Sequence, residues 1–138
     1  MALAEVVYIT VFSVVDPFKD FDDGKFKSNY SAYEQNTAKY EDVITTFNIE
    51  SYEFLTDYND GENYDFIFVD GDHHPWGVLE DMVLSWRLLK KGGLMIVDDY
   101  SWEVPRKGID AFLSAYEGRY KFLFASGKNC WQYGIEKL

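Results

Sequence analysis

Acidic residues and histidines follow two apolar runs in the middle of the sequence. The apolar residues 66–69 stop at the segment 70–74, DGDHH, and the apolar residues 94–97 stop at Asp98 and Asp99. Carboxylate oxygens are the ligands that hard divalent cations prefer, and an imidazole can act as a general base near neutral pH. The two segments therefore carry groups suited to cation binding and to proton transfer.

The two apolar runs predict the strands that position these groups. Short runs without polar alternation are typical of parallel strands covered by helices on both faces of a sheet. In an open α/β sheet, ligands bind outside the carboxyl ends of the strands. Two neighbouring parallel strands would therefore bring four carboxylates to one crevice, which is our candidate site. These carboxylates belong to Asp70, Asp72, Asp98 and Asp99.

A helix is predicted between the two strands. Pro75 suits its first turn, and apolar residues recur at a spacing that places them on one helical face. These residues are Val78, Leu79, Met82, Val83, Trp86 and Leu89. Gly92 and Gly93 are expected to end the helix, and Lys90 and Lys91 to complement its dipole.

Several of these residues also have purely structural interpretations. Acidic residues often follow strands as turn formers and helix caps. One of two adjacent histidines normally points to solvent, so His73 could simply hydrogen-bond the loop, and His74 is the weaker candidate for chemistry. Trp86 lies on the apolar face of the helix and is expected in the core. Trp102, just past Asp99, is the best candidate among the tryptophans for lining a pocket.

The remaining segments alternate between strands and helices. Strands are predicted at residues 6–15, 43–47, 120–125 and 130–136, and helices at residues 29–40, 50–58 and from Pro105 to Gly118. A short polar connection between the last two strands suits an antiparallel hairpin. This order predicts a single domain over residues 1–138, an α/β three-layer Rossmann-like sandwich with a mainly parallel sheet and a C-terminal antiparallel hairpin.

Charge and composition restrict the partners and the compartment. The formal net charge of −11 would repel a nucleic-acid backbone or an anionic membrane, so a cation or a neutral or basic small-molecule ligand is easier to accommodate. Cys130 is the only cysteine, which excludes an intramolecular disulfide and predicts a buried, inert thiol. The beginning of the sequence lacks the features of a signal peptide, and a cytoplasmic protein is therefore expected.

A second acidic segment lies closer to the beginning of the sequence. Residues 18–28 contain Asp20, Asp22 and Asp23, which could suggest calcium binding. Their spacing does not match the ligand pattern of an EF-hand. We expect a solvated surface loop here.

The central part of the sequence resembles a known enzyme family. The run YDFIFVDGDHH, a helix and the run LLKKGGLMIVDDYSW are similar to class I S-adenosylmethionine-dependent methyltransferases, especially to small-molecule O-methyltransferase-like proteins. The resemblance covers about residues 11–138. It implies methyl transfer from S-adenosylmethionine to a hydroxyl of a small molecule. The alternative is a non-catalytic or truncated domain of this type that does not bind the cofactor.

The resemblance also implies roles for individual residues. Cation-dependent family members hold a divalent metal with an acid after one strand and an acidic pair after the next, and these positions fall on Asp70, Asp98 and Asp99. A cation such as Mg²⁺ would lower the pKa of a bound substrate hydroxyl. Asp70 and His73 are then the candidates for catalysis. The candidates for contacts with the cofactor are Asp16, Gly71 and Asp72.

One part of the family's pattern has no counterpart before Asp16. Family members have a strand, a glycine-rich turn and a helix before the strand that here ends at Asp16, whereas Gly24 is the first glycine of this sequence. That turn holds the methionine part of the cofactor. The resemblance therefore implies a fragment or a natural short form, and we expect S-adenosylmethionine to bind weakly or not at all.

The family strand that has no counterpart before Asp16 also affects the expected order of strands in the sheet. In the family it lies between the strands that correspond to residues 6–15 and 64–69. A gap there would leave unpaired backbone groups, each costing about 1–3 kcal/mol. We therefore expect residues 6–15 to pair directly and in parallel with residues 64–69. A homodimer in which a second chain fills the gap is the alternative.

Overall fold

The computed structural model describes residues 11–19, 29–57, 61, 63–126 and 131–138. The chain divides into two compact units, Met1–Phe54 and Leu55–Leu138, and each is described by itself. Some predictions lie outside the described residues: the acidic segment with Asp20, Asp22 and Asp23, the thiol of Cys130, and the first part of the strand at residues 6–15. No helix in the described part of the chain is long and apolar enough to cross a lipid bilayer.

The first unit contains two short parallel strands. Strand β1 is Phe12–Val15 and strand β2 is Ile44–Phe47, and together they form a two-stranded sheet. Helix α1, Tyr30–Thr37, precedes β2, and helix α2, Ser51–Asp57, follows it. Aromatic and β-branched residues in both strands favour extended backbone. The predicted strands and helices are confirmed within the described residues of this region.

Aromatic side chains attach both helices to β2. Phe54 of α2 is buried, and its ring centroid lies 4.7 Å from that of Phe47. The hydroxyl oxygens of Tyr33 in α1 and Thr46 in β2 are 2.7 Å apart and share a hydrogen bond. The first unit is therefore held together by packing on this strand.

The second unit combines a four-stranded mixed sheet with two helices. Its elements are β3 (Tyr64–Val69), α3 (Pro75–Leu88), β4 (Leu89–Val97), α4 (Glu103–Ala115), β5 (Tyr120–Ala125) and β6 (Tyr133–Lys137). The strand order is β3-β4-β6-β5, with β3 parallel to β4 and with β6 antiparallel to both of its neighbours. The predicted α/β class with a C-terminal antiparallel hairpin is confirmed.

The core of this unit joins the apolar faces of α3 and α4 to the sheet. Its fully buried side chains include those of Met82, Leu89, Met95, Ile109, Phe112 and Ile135. Trp86 is 5% exposed and packs edge-on against Phe112, with ring centroids 5.5 Å apart. The predicted apolar face of α3 and the core position of Trp86 are confirmed.

Helices α3 and α4 come into close contact at Gly108. A Cβ atom at this position would lie 2.1 Å from the carbonyl oxygen of Pro75 and 2.6 Å from Cγ1 of Val78. Such distances are far shorter than van der Waals contact. The missing side chain is therefore what allows the backbone of α4 to lie against the first turn of α3.

The end of α3 corrects one prediction. The helix stops at Leu88, and Leu89 already has extended backbone angles of φ −76° and ψ 130°. Gly92, which we expected to help end the helix, lies within β4 at φ 78°, where the pairing of β3 with β4 is irregular. Lys90, which we expected to complement the helix dipole, pairs with Asp65 of β3 at 2.9 Å. The prediction was wrong because a glycine with positive φ suits a strand irregularity as well as a helix end.

The described strand pairs lie within each unit. β1 pairs in parallel with β2, and β3 pairs in parallel with β4. The expected pairing of residues 6–15 with residues 64–69 would join the two units and stays a prediction. Phe66 and Phe68 are 37% and 43% exposed, so the described residues do not cover both faces of β3 as expected.

Candidate functional site

Strands β3 and β4 end side by side at one edge of the sheet. Val69 is aligned with Val97, and the amide of Asp98 donates a 3.0 Å hydrogen bond to the carbonyl oxygen of Val69. Asp70 and Asp98 are the next residues along the two strands. The loop after β3 and the loop after β4 therefore begin next to each other, where ligands bind in open α/β sheets.

Asp72 organises the loop after β3. Its Oδ1 atom accepts a 2.9 Å hydrogen bond from the backbone amide of His74 and lies 2.7 Å from Nδ1 of the same residue. The imidazole of His74 stacks on Trp76, with ring centroids 4.7 Å apart. His74 directly precedes Pro75, the first residue of α3, so these contacts fix where the helix begins.

The carboxyl group of Asp72 is occupied by its hydrogen bonds with His74. Burial raises its pKa, but hydrogen bonds from the backbone and the imidazole of His74 outweigh burial and hold the pKa below its ordinary value. A carboxyl with a lowered pKa stabilises the fold above its unfolded-state pKa, and this contribution is lost as the pH falls through the lowered value. The predicted contact of Asp72 with a cofactor would therefore have to share or displace the bonds to His74.

The loop after β4 holds Asp99 in an uncommon backbone conformation. Its φ is 58°, in the left-handed region that Asp and Asn tolerate better than most other residues with a side chain. The amide of Asp99 donates a 2.9 Å hydrogen bond to Oδ1 of Asp98, and its carbonyl oxygen accepts one of 2.9 Å from the amide of Trp102. These bonds offset the strain and form the turn that leads into α4.

Asp70, His73 and Asp99 meet at the edge of the sheet, and we call them the strand-end cluster. Nε2 of His73 lies 2.9 Å from Oδ2 of Asp99. One ligand atom from each of the three residues lies within 4.8 Å of the other two. The side chain of His73 is 45% exposed and that of Asp99 is 21% exposed, so a ligand can reach the cluster from solvent.

Asp98 does not join the strand-end cluster in this arrangement. Its Oδ1 atom accepts the hydrogen bond from the amide of Asp99, and its charge acts on Asp70 through space. The structure thus brings together two of the three carboxylates that the resemblance implies for a cation, and it places His73 with them. The ligand set of Asp70, Asp98 and Asp99 stays a prediction.

The pKa of Asp70 is raised above its ordinary value. Burial is the largest cause, followed by the negative charges of Asp98 and Asp99, while His73 offsets part of the effect. The folded state therefore keeps a proton on Asp70 over a pH range in which the unfolded state releases it. The free energy of unfolding accordingly falls as the pH rises from the ordinary aspartate value of 3.8 through the raised pKa.

The substitution Asp70→Asn is expected to raise Tm at pH 7 by about 1–3 °C in buffer free of divalent cations. It removes a charge that burial and neighbouring carboxylates make unfavourable, and the gain is small because water screens this partly exposed group. The gain should shrink towards zero as the pH is lowered to 3.8. Thermal unfolding followed by circular dichroism measures both effects. Asp57→Asn, which removes an exposed carboxylate from α2, is the control, and a lower Tm for Asp70→Asn at pH 7 would contradict the assignment.

The donor set of the strand-end cluster fits a divalent cation. It offers carboxylate oxygens from Asp70 and Asp99 and an imidazole nitrogen from His73. Carboxylates suit Mg²⁺ and Mn²⁺, and an imidazole extends the choice to other first-row transition metals. Like-charged carboxylates repel one another, so a bound cation would relieve the repulsion that raises the pKa of Asp70.

Trp102 lies beside the strand-end cluster. Its ring centroid is 5.2 Å from that of His73, and the two ring planes form an angle of 45°. The side chain is 51% exposed, so one face of the indole is available to a ligand. The structure thus places the tryptophan that we expected to line a pocket next to the candidate general base.

Asp16 and Gly71 are the other two residues predicted to contact the cofactor. Asp16 belongs to the first unit, and its Oδ1 atom accepts a 2.6 Å hydrogen bond from the amide of Phe18. Gly71 lies in the loop after β3, where a Cβ atom would approach Oδ2 of Asp81 to 3.0 Å. Gly71 therefore allows the loop to pass close to α3.

Asp81 is a residue of this region that the sequence reasoning missed. Its side chain lies on α3 and is 6% exposed, which is unusual for a carboxylate. The signal was present in the sequence, because Asp81 shares the helical face of Val78, Met82 and Ser85, all of which are buried. An acid on an apolar helical face predicts a polar contact beneath the loop.

The chain is similar to one family of enzymes. A family model described as a methyltransferase domain matches residues 2–100. No match was found among curated proteins.

Three solved structures illustrate the fold that this chain shares. A protein from Corynebacterium glutamicum is 12% identical, with a TM-score of 0.65, over 92% of this chain and 60% of that chain. The O-methyltransferase from Bacillus cereus in complex with SAH is 16% identical, with a TM-score of 0.56, over 93% of this chain and 74% of that chain. The MycE methyltransferase from the mycinamycin biosynthetic pathway, in complex with Mg, SAH and mycinamycin VI, is 12% identical, with a TM-score of 0.54, over 93% of this chain and 45% of that chain.

The TM-scores of these structures establish the Rossmann-like fold. This chain spans only 60% and 45% of the length of the first and last of the three proteins. The family follows from the match to residues 2–100, which is most of the sequence. This chain belongs to the methyltransferase-domain family that this model describes.

Proposed function

We propose that this protein transfers a methyl group from S-adenosylmethionine to a hydroxyl of a small molecule, with the strand-end cluster as the acceptor site. The observation that carries this proposal is the contact between His73 and Asp99, with Asp70 beside them, at the ends of adjacent parallel strands. The structures of the Bacillus cereus O-methyltransferase and of MycE contain SAH, and that of MycE also contains Mg, which supports the choice of cofactor and cation.

His73 is the proposed general base. Its Nε2 atom faces Oδ2 of Asp99, so a neutral imidazole that donates from Nε2 keeps Nδ1 free of a proton. Asp99 thereby orients the ring, in the way that an acid orients the histidine of other acid–base pairs. Nδ1 is then the atom that would accept the proton of the substrate hydroxyl.

Asp70 and Asp99 are the proposed cation ligands in the strand-end cluster, and Asp98 is the further ligand that the resemblance implies. When bound, a divalent cation lowers the pKa of a hydroxyl and stabilises the resulting oxyanion. The carboxylates position the hydroxyl oxygen near His73, and the exposed indole of Trp102 would contact the apolar body of the acceptor.

Titration of S-adenosylhomocysteine, with and without Mg²⁺, tests the cofactor part of the proposal. We expect a dissociation constant weaker than about 10 μM, equivalent to about −7 kcal/mol. Two of the residues predicted to contact the cofactor already have local hydrogen-bond partners. The carboxylate of Asp16 accepts a hydrogen bond from the amide of Phe18, and that of Asp72 accepts one from the amide of His74. Isothermal titration calorimetry measures the affinity, and the matched variant Asp16→Ala shows whether this carboxylate contributes.

The same titration separates the two candidate functions. Binding tighter than about 10 μM would contradict the expected weakness and would strengthen the case for methyl transfer. If saturable binding is absent up to about 1 mM, equivalent to about −4 kcal/mol, methyl transfer is rejected. The alternative of a non-catalytic methyltransferase-like domain would then be favoured, for which the local bonds of Asp16 and Asp72 are the supporting observation.

A further inference from the structure

A concave region lies at the end of the sheet opposite the strand-end cluster. It is a depression of about 510 Å³ formed where α3, α4 and β6 end. Because β6 runs antiparallel to β4, its last residues lie beside Leu94, whereas Asp98 follows the other end of β4. The depression is therefore separate from the candidate methyl-transfer site.

Four basic side chains line this depression, and we call them the basic quartet: Arg87, Lys91, Arg119 and Lys137. The whole sequence has only 13 basic residues against 24 acidic ones. Among the described residues, no acidic side chain lines the depression. A strongly acidic protein thus has a local concentration of positive charge at this place.

Lys137 is held in a fixed position within the quartet. Its ammonium donates hydrogen bonds of 2.9 Å to the carbonyl oxygen of Trp86 and 2.7 Å to that of Leu89. The same nitrogen lies 5.6 Å from the ring centroid of Trp86. Lys137 therefore satisfies carbonyl groups at the end of α3 and places one positive charge in the lining of the depression.

The other three members have no acidic partner within residues 63–126 and 131–138. In the same unit, other lysines are paired, since Lys90 contacts Asp65 and Lys121 contacts Glu136. No such ion pair is formed by Arg87, Lys91 or Arg119 among the described residues. Like charges that share a concave surface repel one another and attract anions, so an anionic ligand would be favoured here.

The backbone around the quartet is well defined. The carbonyl oxygen of Arg119 accepts a 3.0 Å hydrogen bond from the amide of Leu138, which joins the beginning of β5 to the end of β6. Gly118, at φ 78°, allows the chain to turn after α4 and brings Arg119 to the depression. The four basic side chains thus extend from α3, from β4, from the turn after α4 and from β6.

We propose that the depression binds a small polyanion with two or more phosphate groups. Its volume of about 510 Å³ lies within the range of about 300–1,000 Å³ that is usual for small-ligand sites. Arginine binds phosphate through paired N–H donors, and lysine adds a compact positive charge. The shared chemistry is the polyphosphate group, either free or attached to a nucleoside. The proposal is independent of methyl transfer.

Calorimetric titration with inorganic tripolyphosphate and with ATP tests the proposal. The full chain is used in metal-free buffer of low ionic strength, since divalent cations would complex both probes. Wild-type protein is expected to bind tripolyphosphate saturably, and Arg87→Ala/Arg119→Ala to bind it at least about 10-fold more weakly, or about 1.4 kcal/mol. The control is Arg106→Ala, an exposed arginine of α4 that does not line the depression, and it is expected to change the affinity less than about 2-fold.

Each result of these titrations supports or overturns the proposed polyphosphate site. Equal weakening by Arg106→Ala, or no saturable binding by the wild type, would overturn the proposal, because long-range attraction alone would then explain the data. Similar affinities for the two probes support recognition of free polyphosphate, whereas tighter binding of ATP supports a nucleoside polyphosphate. Lys91→Ala provides a second variant if the double variant has a lowered Tm, and it is also expected to weaken binding.

Discussion

Gly108→Ala is expected to lower the free energy of unfolding by about 2–3 kcal/mol. The new Cβ atom would lie 2.1 Å from the carbonyl oxygen of Pro75, and a backbone atom cannot move aside as a flexible side chain can. Helices α3 and α4 would have to separate, which would disturb the packing of Val78 beside the contact. Urea unfolding followed by circular dichroism measures the change.

Ser114→Ala is the matched control for this substitution, because it adds an alanine to the exposed side of the same helix. Helix propensity alone would make Gly108→Ala stabilising by about 1 kcal/mol. A rise in stability for Gly108→Ala would therefore show that the helices do not approach as closely as described. A loss restricted to Gly108→Ala would confirm the contact.

The double variant Asp70→Asn/Asp99→Asn is expected to weaken the binding of Mn²⁺ or Mg²⁺ by at least about 100-fold, or about 2.7 kcal/mol. It removes both carboxylates of the strand-end cluster and leaves His73. Asparagine tolerates the φ of 58° at position 99, so the loss can be assigned to charge and not to backbone strain. Calorimetry measures the affinity, and the cation-induced rise in Tm provides a second readout.

A second double variant separates the possible ligand sets. Asp98→Asn/Asp99→Asn removes the pair that the resemblance implies, and it is also expected to abolish the cation-induced rise in Tm. The single variant Asp98→Asn should have a smaller effect than Asp99→Asn, because Asp98 is engaged by the amide of Asp99. An unchanged rise in both double variants would place the cation outside this edge of the sheet. Asp57→Asn is the control for loss of charge.

The elements of the second unit could largely be predicted because their signals are local. The spacing of Val78, Met82 and Trp86 defines one face of α3, and Pro75 marks its beginning. The apolar runs before Asp70 and Asp98 predict β3 and β4 in the same way. Each signal lies within a few residues of the element that it specifies.

The end of α3 could not be predicted because it depends on distant residues. Lys90 joins β4 through Asp65, which lies in another strand, and the sequence around Gly92 is equally compatible with a helix end. Sequence pattern gives the preference of a segment for a strand, but the choice of partner follows from tertiary packing.

The candidate site was predicted in outline and not in its contacts. The sequence identifies the two loops and their carboxylates, since both follow apolar runs. It does not show that His73 faces Asp99, because this contact requires the alignment of Val69 with Val97 and the left-handed backbone of Asp99. Nor does the sequence show that Asp98 lies apart from the strand-end cluster, because its hydrogen bond with the amide of Asp99 depends on the backbone of the same loop.

The position of β6 within the sheet determines when the second unit can fold during synthesis. β6 is translated after β5, yet it lies between β4 and β5 and provides hydrogen-bond partners to both. A nascent chain that has emerged only as far as β5 leaves this strand without its neighbour and β4 with an open edge. The sheet can close only when Tyr133–Lys137 has left the ribosome, so folding of this unit is completed late, and its intermediates expose apolar strands in the meantime.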